Sequence, residues 1–263
     1  QDRSNYPKYK QCRAYETALK LKEEGLIRHL GISFHDTADV LDMILTEHPE
    51  VEIVQIQFNY LDYDDQSVQS RQAYEVCVRH NKPVIVMEPV KGGGLVKLPG
   101  EAEGLLRALG PGSNAGFAMR FAASFPAMAM VLSGMSDMAQ MEDNLATMKD
   151  FRPFTEDEHA AAAKVASIIK KQGLIQCTGC RYCVEENECP MGIRIPDMFS
   201  DLNNYGLFHD WNSINYYRNV ITDADHAKAS ECLGCGGCES VCPQHLSIIG
   251  LLRDVAEAFE KEK

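Results

Sequence analysis

Eight of the ten cysteines fall into two runs that few chemistries require. Cys177, Cys180 and Cys183 are each separated by two residues and are followed by Cys189-Pro190; Cys232, Cys235 and Cys238 repeat the spacing and are followed by Cys242-Pro243. A [4Fe–4S] cubane presents its irons at separate corners, so three thiolates on one tight loop reach three of them and the fourth comes from elsewhere. Gly179, Gly234, Gly236 and Gly237 let backbone amides approach sulfur, and the proline after each fourth cysteine turns the chain away. Structural zinc draws on separated Cys-x2-Cys pairs rather than triplets, so the pattern favours two [4Fe–4S] clusters over zinc.

In two-cluster ferredoxins the fourth cysteine of each run serves the other cluster. That rule predicts one ligand set of Cys177, Cys180, Cys183 and Cys242, and a second of Cys232, Cys235, Cys238 and Cys189. Cys12 and Cys77 stand alone and read as small packing or surface residues. Clustered thiolates point to metal in a reducing, cytoplasmic setting rather than to disulfides. A formal net charge of −12 disfavours nucleic acid and anionic membrane as partners. The most apolar stretch, residues 115–135, is broken by Arg120 and Pro126 and does not read as a membrane span.

Upstream of the cysteines, helical and strand periodicities alternate over residues 15–150. Strands are expected at 28–34, 53–58, 83–88 and 128–133, with helices between them, and strands joined by helical crossovers pair in parallel. Asp36 or Thr37 is expected to cap the helix bearing Val40, Leu41, Ile44 and Leu45. Residues 155–158 (TEDE) spell a capping box that opens a connecting helix ending near Gly173. Beyond residue 176 no strand pattern appears, and 195–203 and 212–220 read as short helices. The expected organisation is an α/β region over 1–154, a linker helix over 155–175 and a mostly helical cluster-binding domain over 176–263.

The long helical spacer between the cysteine runs resembles the α-helical ferredoxin module of respiratory iron–sulfur subunits. Residues 22–33 (KEEGLIRHLGIS) resemble the helix and fifth strand of the aldo/keto reductase barrel, 53–60 (IVQIQFNY) its sixth strand, 84–94 (VIVMEPVKGGG) its seventh strand and loop, and 131–136 (VLSGMS) with Gln140 and Asn144 its eighth strand and next helix. Four such pieces in family order, joined to the dicluster tail, resemble the branch of that family with a C-terminal iron–sulfur domain.

The resemblance implies the C-terminal half of a (β/α)8 TIM barrel followed by the ferredoxin-like domain. It implies that Ser33 and Gln55 contact a nicotinamide carboxamide, that Lys91 and Gly92 meet the pyrophosphate, and that Ser136, Gln140 and Asn144 line the adenosine-phosphate pocket. Phe34, Met87 and Gln140 replace the family's asparagine, its stacking aromatic and its 2′-phosphate arginine, leaving NADP(H) and NAD(H) both open. His35 faces the same mouth, as a surface histidine or a proton carrier; His29, His80 and His209 carry no further signal. Gln55, Gln57 and Asn59, at period two, point either to a cofactor or simply to a wet barrel mouth.

The chain opens on Gln1 and carries four of eight barrel strands, so it is expected to be part of a polypeptide beginning about 130 residues earlier. The family's catalytic Asp, Tyr, Lys and His belong to the other half, and no catalytic residue is assigned here. The expected function is an iron–sulfur oxidoreductase that couples a barrel site for a small carbonyl or alcohol substrate to one-electron transfer. Because a nicotinamide passes two electrons and a cluster one, a flavin or a redox partner protein is a further expectation. The alternative is an electron-transfer module whose barrel is a non-catalytic docking scaffold.

Overall fold

A computed structural model describes residues 6–66, 68–187, 189–208, 212–222 and 226–261; residues 1–5 and His209 lie outside the described residues. The chain divides into two compact units, residues 1–166 and 167–263.

In the first unit, β1 (Gly31–Ser33), β2 (Ile53–Gln57), β3 (Val84–Met87) and β4 (Met128–Val131) form one sheet in the order β1-β2-β3-β4. All three pairings are parallel, as the crossover argument requires. The helices are α1 (Tyr6–Gln11), α2 (Ala14–Glu23), α3 (Ala38–Glu47), α4 (Ser70–Arg79), α5 (Gly100–Ala108), α6 (Asn114–Ala123) and α7 (Met138–Lys149). Helix α5 has no counterpart in the sequence reading, because Gly100 and Gly104 dilute its helical pattern. The first strand is shorter than its apolar run, although the amide of Phe34 still donates to the Gln55 carbonyl at 2.9 Å.

Alternation along the strands sorts residues onto two faces. Ile32, Val54, Ile56, Val84 and Val86 are buried and share a core with Val40, Leu41, Ile44 and Leu45 of α3 and Ala73, Val76 and Cys77 of α4. The opposite face carries Gly31, Ser33, Ile53, Gln55, Ile85 and Met87, exposed or half-buried. An aromatic cluster lies beside α6, where Phe58, Phe121 and Phe125 pack with ring centroids 4.9–5.8 Å apart.

Caps fix the helices that flank the sheet. Ser113 Oγ accepts from Gly116 N at 2.8 Å to start α6, and Asp137 Oδ1 accepts from Gln140 N at 2.9 Å to start α7. Thr37 stands at the N-cap of α3 but makes no side-chain cap bond; its hydroxyl turns to Asp39. The expected capping box forms at the start of α8 (Glu156–Lys171): Thr155 N donates to Glu158 Oε2 at 2.8 Å and Glu158 N to Thr155 Oγ1 at 3.2 Å.

Gly31 is required where β1 passes β2. A Cβ there would lie 2.6 Å from Ile53 Cγ2 and 3.0 Å from the Ile53 carbonyl oxygen. Gly31→Ala is expected to destabilise the first unit by about 1–3 kcal/mol, the usual range for overpacking. A urea midpoint unchanged from wild type would contradict this close approach.

In the second unit, α9 (Tyr182–Glu185), α10 (Ile195–Phe208), α11 (Asn212–Tyr216), α12 (Gly237–Ser240) and α13 (Ile248–Phe259) surround a core that includes Met198, Phe199, Tyr217, Leu252 and Phe259. Helix α13 buries Ile248, Leu252, Val255 and Phe259, a stripe of i, i+4, i+7 and i+11. The Tyr217 hydroxyl donates to Glu260 Oε1 at 2.6 Å and accepts from Ala229 N at 2.9 Å, tying the approach to the second cysteine run onto this core. Among the described residues no helix is long and apolar enough to cross a membrane.

Candidate functional site

The two cysteine loops trace the same backbone path. Gly179 and Gly234 have φ of 69° and 66°; two residues on, Arg181 and Gly236 have φ of 66° and 77°. Each of these last two is the N-cap of a four-residue helix, α9 or α12, that carries the third cysteine. Cys183 and Cys238 are therefore buried at equivalent places, with 8% and 7% exposure. Only glycine takes such left-handed angles without strain, so Arg181 holds its position against a steric cost of about 1–2 kcal/mol.

Cys232, Cys235 and Cys238 line one recess together with Cys189, walled by Met191, Ile193, Ile249 and Leu252. Burial pushes the Cys183 thiol up to about 12, and the fields of Cys177, Cys180, Cys242 and Cys238 add to the shift in that order. Burial likewise pushes Cys238 up to about 11, with Glu239 and then Cys232 contributing. These thiols hold their protons until a metal displaces them.

The donor set fits an iron–sulfur cluster. The Gly179 amide already points at sulfur, donating to Cys177 Sγ at 3.4 Å. The Thr178 hydroxyl, on a side chain only 8% exposed, is buried without a protein partner. Among the described residues no group of three or more His, Cys, Asp or Glu is gathered closely enough to hold a single metal ion. Cys12 is exposed, and Cys77 is buried with its thiol pushed up to about 12 by burial.

At the carboxyl ends of the strands, Ser33 and Gln55 are direct register partners on β1 and β2, so their side chains share the open face. Ser33 Oγ lies 3.3 Å from His35 Nε2, and Gln55 Nε2 donates to Met87 Sδ at 3.4 Å. Ser136 N and Oγ both donate to Gln140 Oε1, at 2.8 and 3.2 Å, closing the turn before α7. Asn144 Nδ2 reaches back to Ser133 Oγ at 2.8 Å. The loop after β3 is left-handed at Glu88, Lys91, Gly92 and Gly93.

Lys91 is turned inward: its ammonium donates to Asp62 Oδ1 at 2.6 Å, and the two side chains are only 4% and 3% exposed. The other carboxylate oxygen of Asp62 accepts from Gln57 Nε2 at 2.6 Å and Asn59 Nδ2 at 2.7 Å, and Asn59 also donates to the Glu88 carbonyl at 3.0 Å. Gln57 and Asn59 thus belong to a dry network, 6% and 0% exposed, rather than to a wet mouth. Asp62, at the centre of this latch, has no motif that marks it in the sequence, where it directly follows FNYL.

Residues 4–167 match the family model of the aldo/keto reductase family. The chain belongs to the aldo/keto reductase family. Residues 176–247 match the 4Fe–4S dicluster domain, so this member carries a ferredoxin-type module behind its barrel strands. Similar solved structures include a holo aldo-keto reductase from Bacillus halodurans, 22% identical, with 57% of this chain and 54% of that one covered at a TM-score of 0.46. An aldo-keto reductase from Klebsiella pneumoniae in complex with NADPH is 18% identical, with 57% and 52% covered at a TM-score of 0.46. The chain spans about half the length of the solved reductases it matches. A comparison with curated proteins gave no match.

Proposed function

We propose that this member of the aldo/keto reductase family is an iron–sulfur oxidoreductase whose two [4Fe–4S] clusters exchange single electrons with a barrel site. The observation that carries the reading is the recess in which Cys189, 43–49 residues away in sequence, joins Cys232, Cys235 and Cys238. In this reading Cys177, Cys180, Cys183 and Cys242 hold the first cluster and the recess holds the second. The domains run over 1–154, 155–175 and 176–263.

When bound, a nicotinamide supplies a hydride and each cluster a one-electron step, with a flavin or a redox partner protein between the two currencies. Ser33 and Gln55 orient the carboxamide from adjacent strands. Lys91 and Gly92 face the pyrophosphate through their backbone, since the ammonium is held by Asp62. Ser136, Gln140 and Asn144 shape the adenosine-phosphate end. The substrate class is a small carbonyl compound or alcohol, bound where barrels of this kind keep their sites, at the carboxyl ends of the strands.

A second reading, an electron carrier with a non-catalytic barrel, is favoured by the inward turn of Lys91 and the closure of Gln140 onto Ser136. Anaerobic titration of the intact protein with NADPH separates the two. Bleaching of the visible cluster absorbance is the result expected of coupled catalysis. Bleaching with dithionite but not with NADPH supports the carrier.

A further inference from the structure

The two cysteine loops share a main-chain path but differ in what surrounds their sulfurs. Thr178 follows the first cysteine of its triplet, and Leu233 occupies the same place in the second. Leu233 is 67% exposed and offers no donor; Thr178 is 8% exposed, and its Oγ1 has no protein partner. The left-handed φ values match at Gly179 and Gly234 and at Arg181 and Gly236, so the two loops turn at the same places. A buried hydroxyl left unpaired costs about 1–3 kcal/mol, so a threonine here needs an acceptor that the polypeptide does not provide.

We infer that the Thr178 hydroxyl donates a hydrogen bond to a sulfur of the cluster held by Cys177, Cys180, Cys183 and Cys242, and raises that cluster's reduction potential. The inference rests on the dicluster reading above. Reduction adds one electron, supplied by an external one-electron donor, and increases the negative charge on the sulfurs; Thr178 keeps its proton throughout. A donor aimed at sulfur stabilises the more negative state, so the potential moves up. The second loop has glycine at positions 236 and 237, and its recess is lined by Ile249, Leu252 and the amide of Asn187, with no side-chain hydroxyl. A buried hydroxyl beside one cluster and an amide-lined recess at the other make the two clusters unequal.

The test is a potentiometric titration with dithionite and mediators, followed by electron paramagnetic resonance, on the intact protein with iron and sulfide counted first. Wild type is expected to show two separate one-electron midpoints. Thr178→Val is expected to shift one of them down by about tenfold in its equilibrium constant, about 59 mV, and to leave the other in place. Thr178→Ser, which keeps the hydroxyl, is expected to restore most of the shift. Thr178→Ala gives the same readout should the branched valine hinder loading. Unmoved midpoints in a variant with about eight irons overturn the role of Thr178 while leaving the dicluster reading intact. A wild type without iron and sulfide after reconstitution overturns that reading, and this inference with it.

Discussion

Asp62→Ala is expected to destabilise the first unit by about 3–5 kcal/mol, the range for removing one partner of a buried ion pair. Lys91 and Asp62 are 4% and 3% exposed and lie 2.6 Å apart, so the substitution strips an interior ammonium of its carboxylate. It also takes the shared acceptor from Gln57 and Asn59. The latch joins the end of β2 to the left-handed loop after β3, and its loss is expected to loosen the loop as well as the fold. Replacing both partners together, Asp62→Leu with Lys91→Met, is expected to restore much of the stability, because no charge is then left inside. Urea denaturation of the two variants beside wild type measures this. A loss below about 1 kcal/mol for Asp62→Ala would mean that water reaches the pair.

Cys189→Ser is expected to lower the iron content from about eight to about four per chain, through loss of the second cluster. Iron counts on double variants then identify which cluster went. If Cys189 serves the triplet whose recess it lines, adding Cys235→Ser removes no further iron, whereas adding Cys180→Ser removes the remainder. Cys242→Ser is expected to give the mirror pattern, the fourth cysteine of the second run serving the first cluster. A Cys189→Ser variant that loses its remaining iron to Cys235→Ser would show each run closing on its own cluster.

The strands and the cysteine loops were legible for the same reason: both are local patterns. Period-two burial is written in VIVM and IVQIQ, and the triplet spacing is written in the letters themselves. The capping box at Thr155 and the stop near Gly173 were equally local. Helix α5 was not, since two glycines weaken its signal and only packing of Ala102 and Leu106 sustains it. The Asp62–Lys91 latch was illegible because it joins residues 29 apart, and nothing in either neighbourhood names the other. Lys91, conspicuous beside three glycines, drew attention as an anion contact, while its charge serves the interior. Arg181 hid the loop repeat in a similar way, holding a left-handed angle under a letter that does not announce one.

That repeat runs through the seven residues 177–183 and 232–238, with left-handed turns and a short helix at matching places. The two segments share their left-handed turns at the same two places, so most of the side chains between them can differ while the turns that present the sulfurs stay the same. The scaffold and the electrical environment of each centre are thus separate variables, set by different atoms of one short stretch.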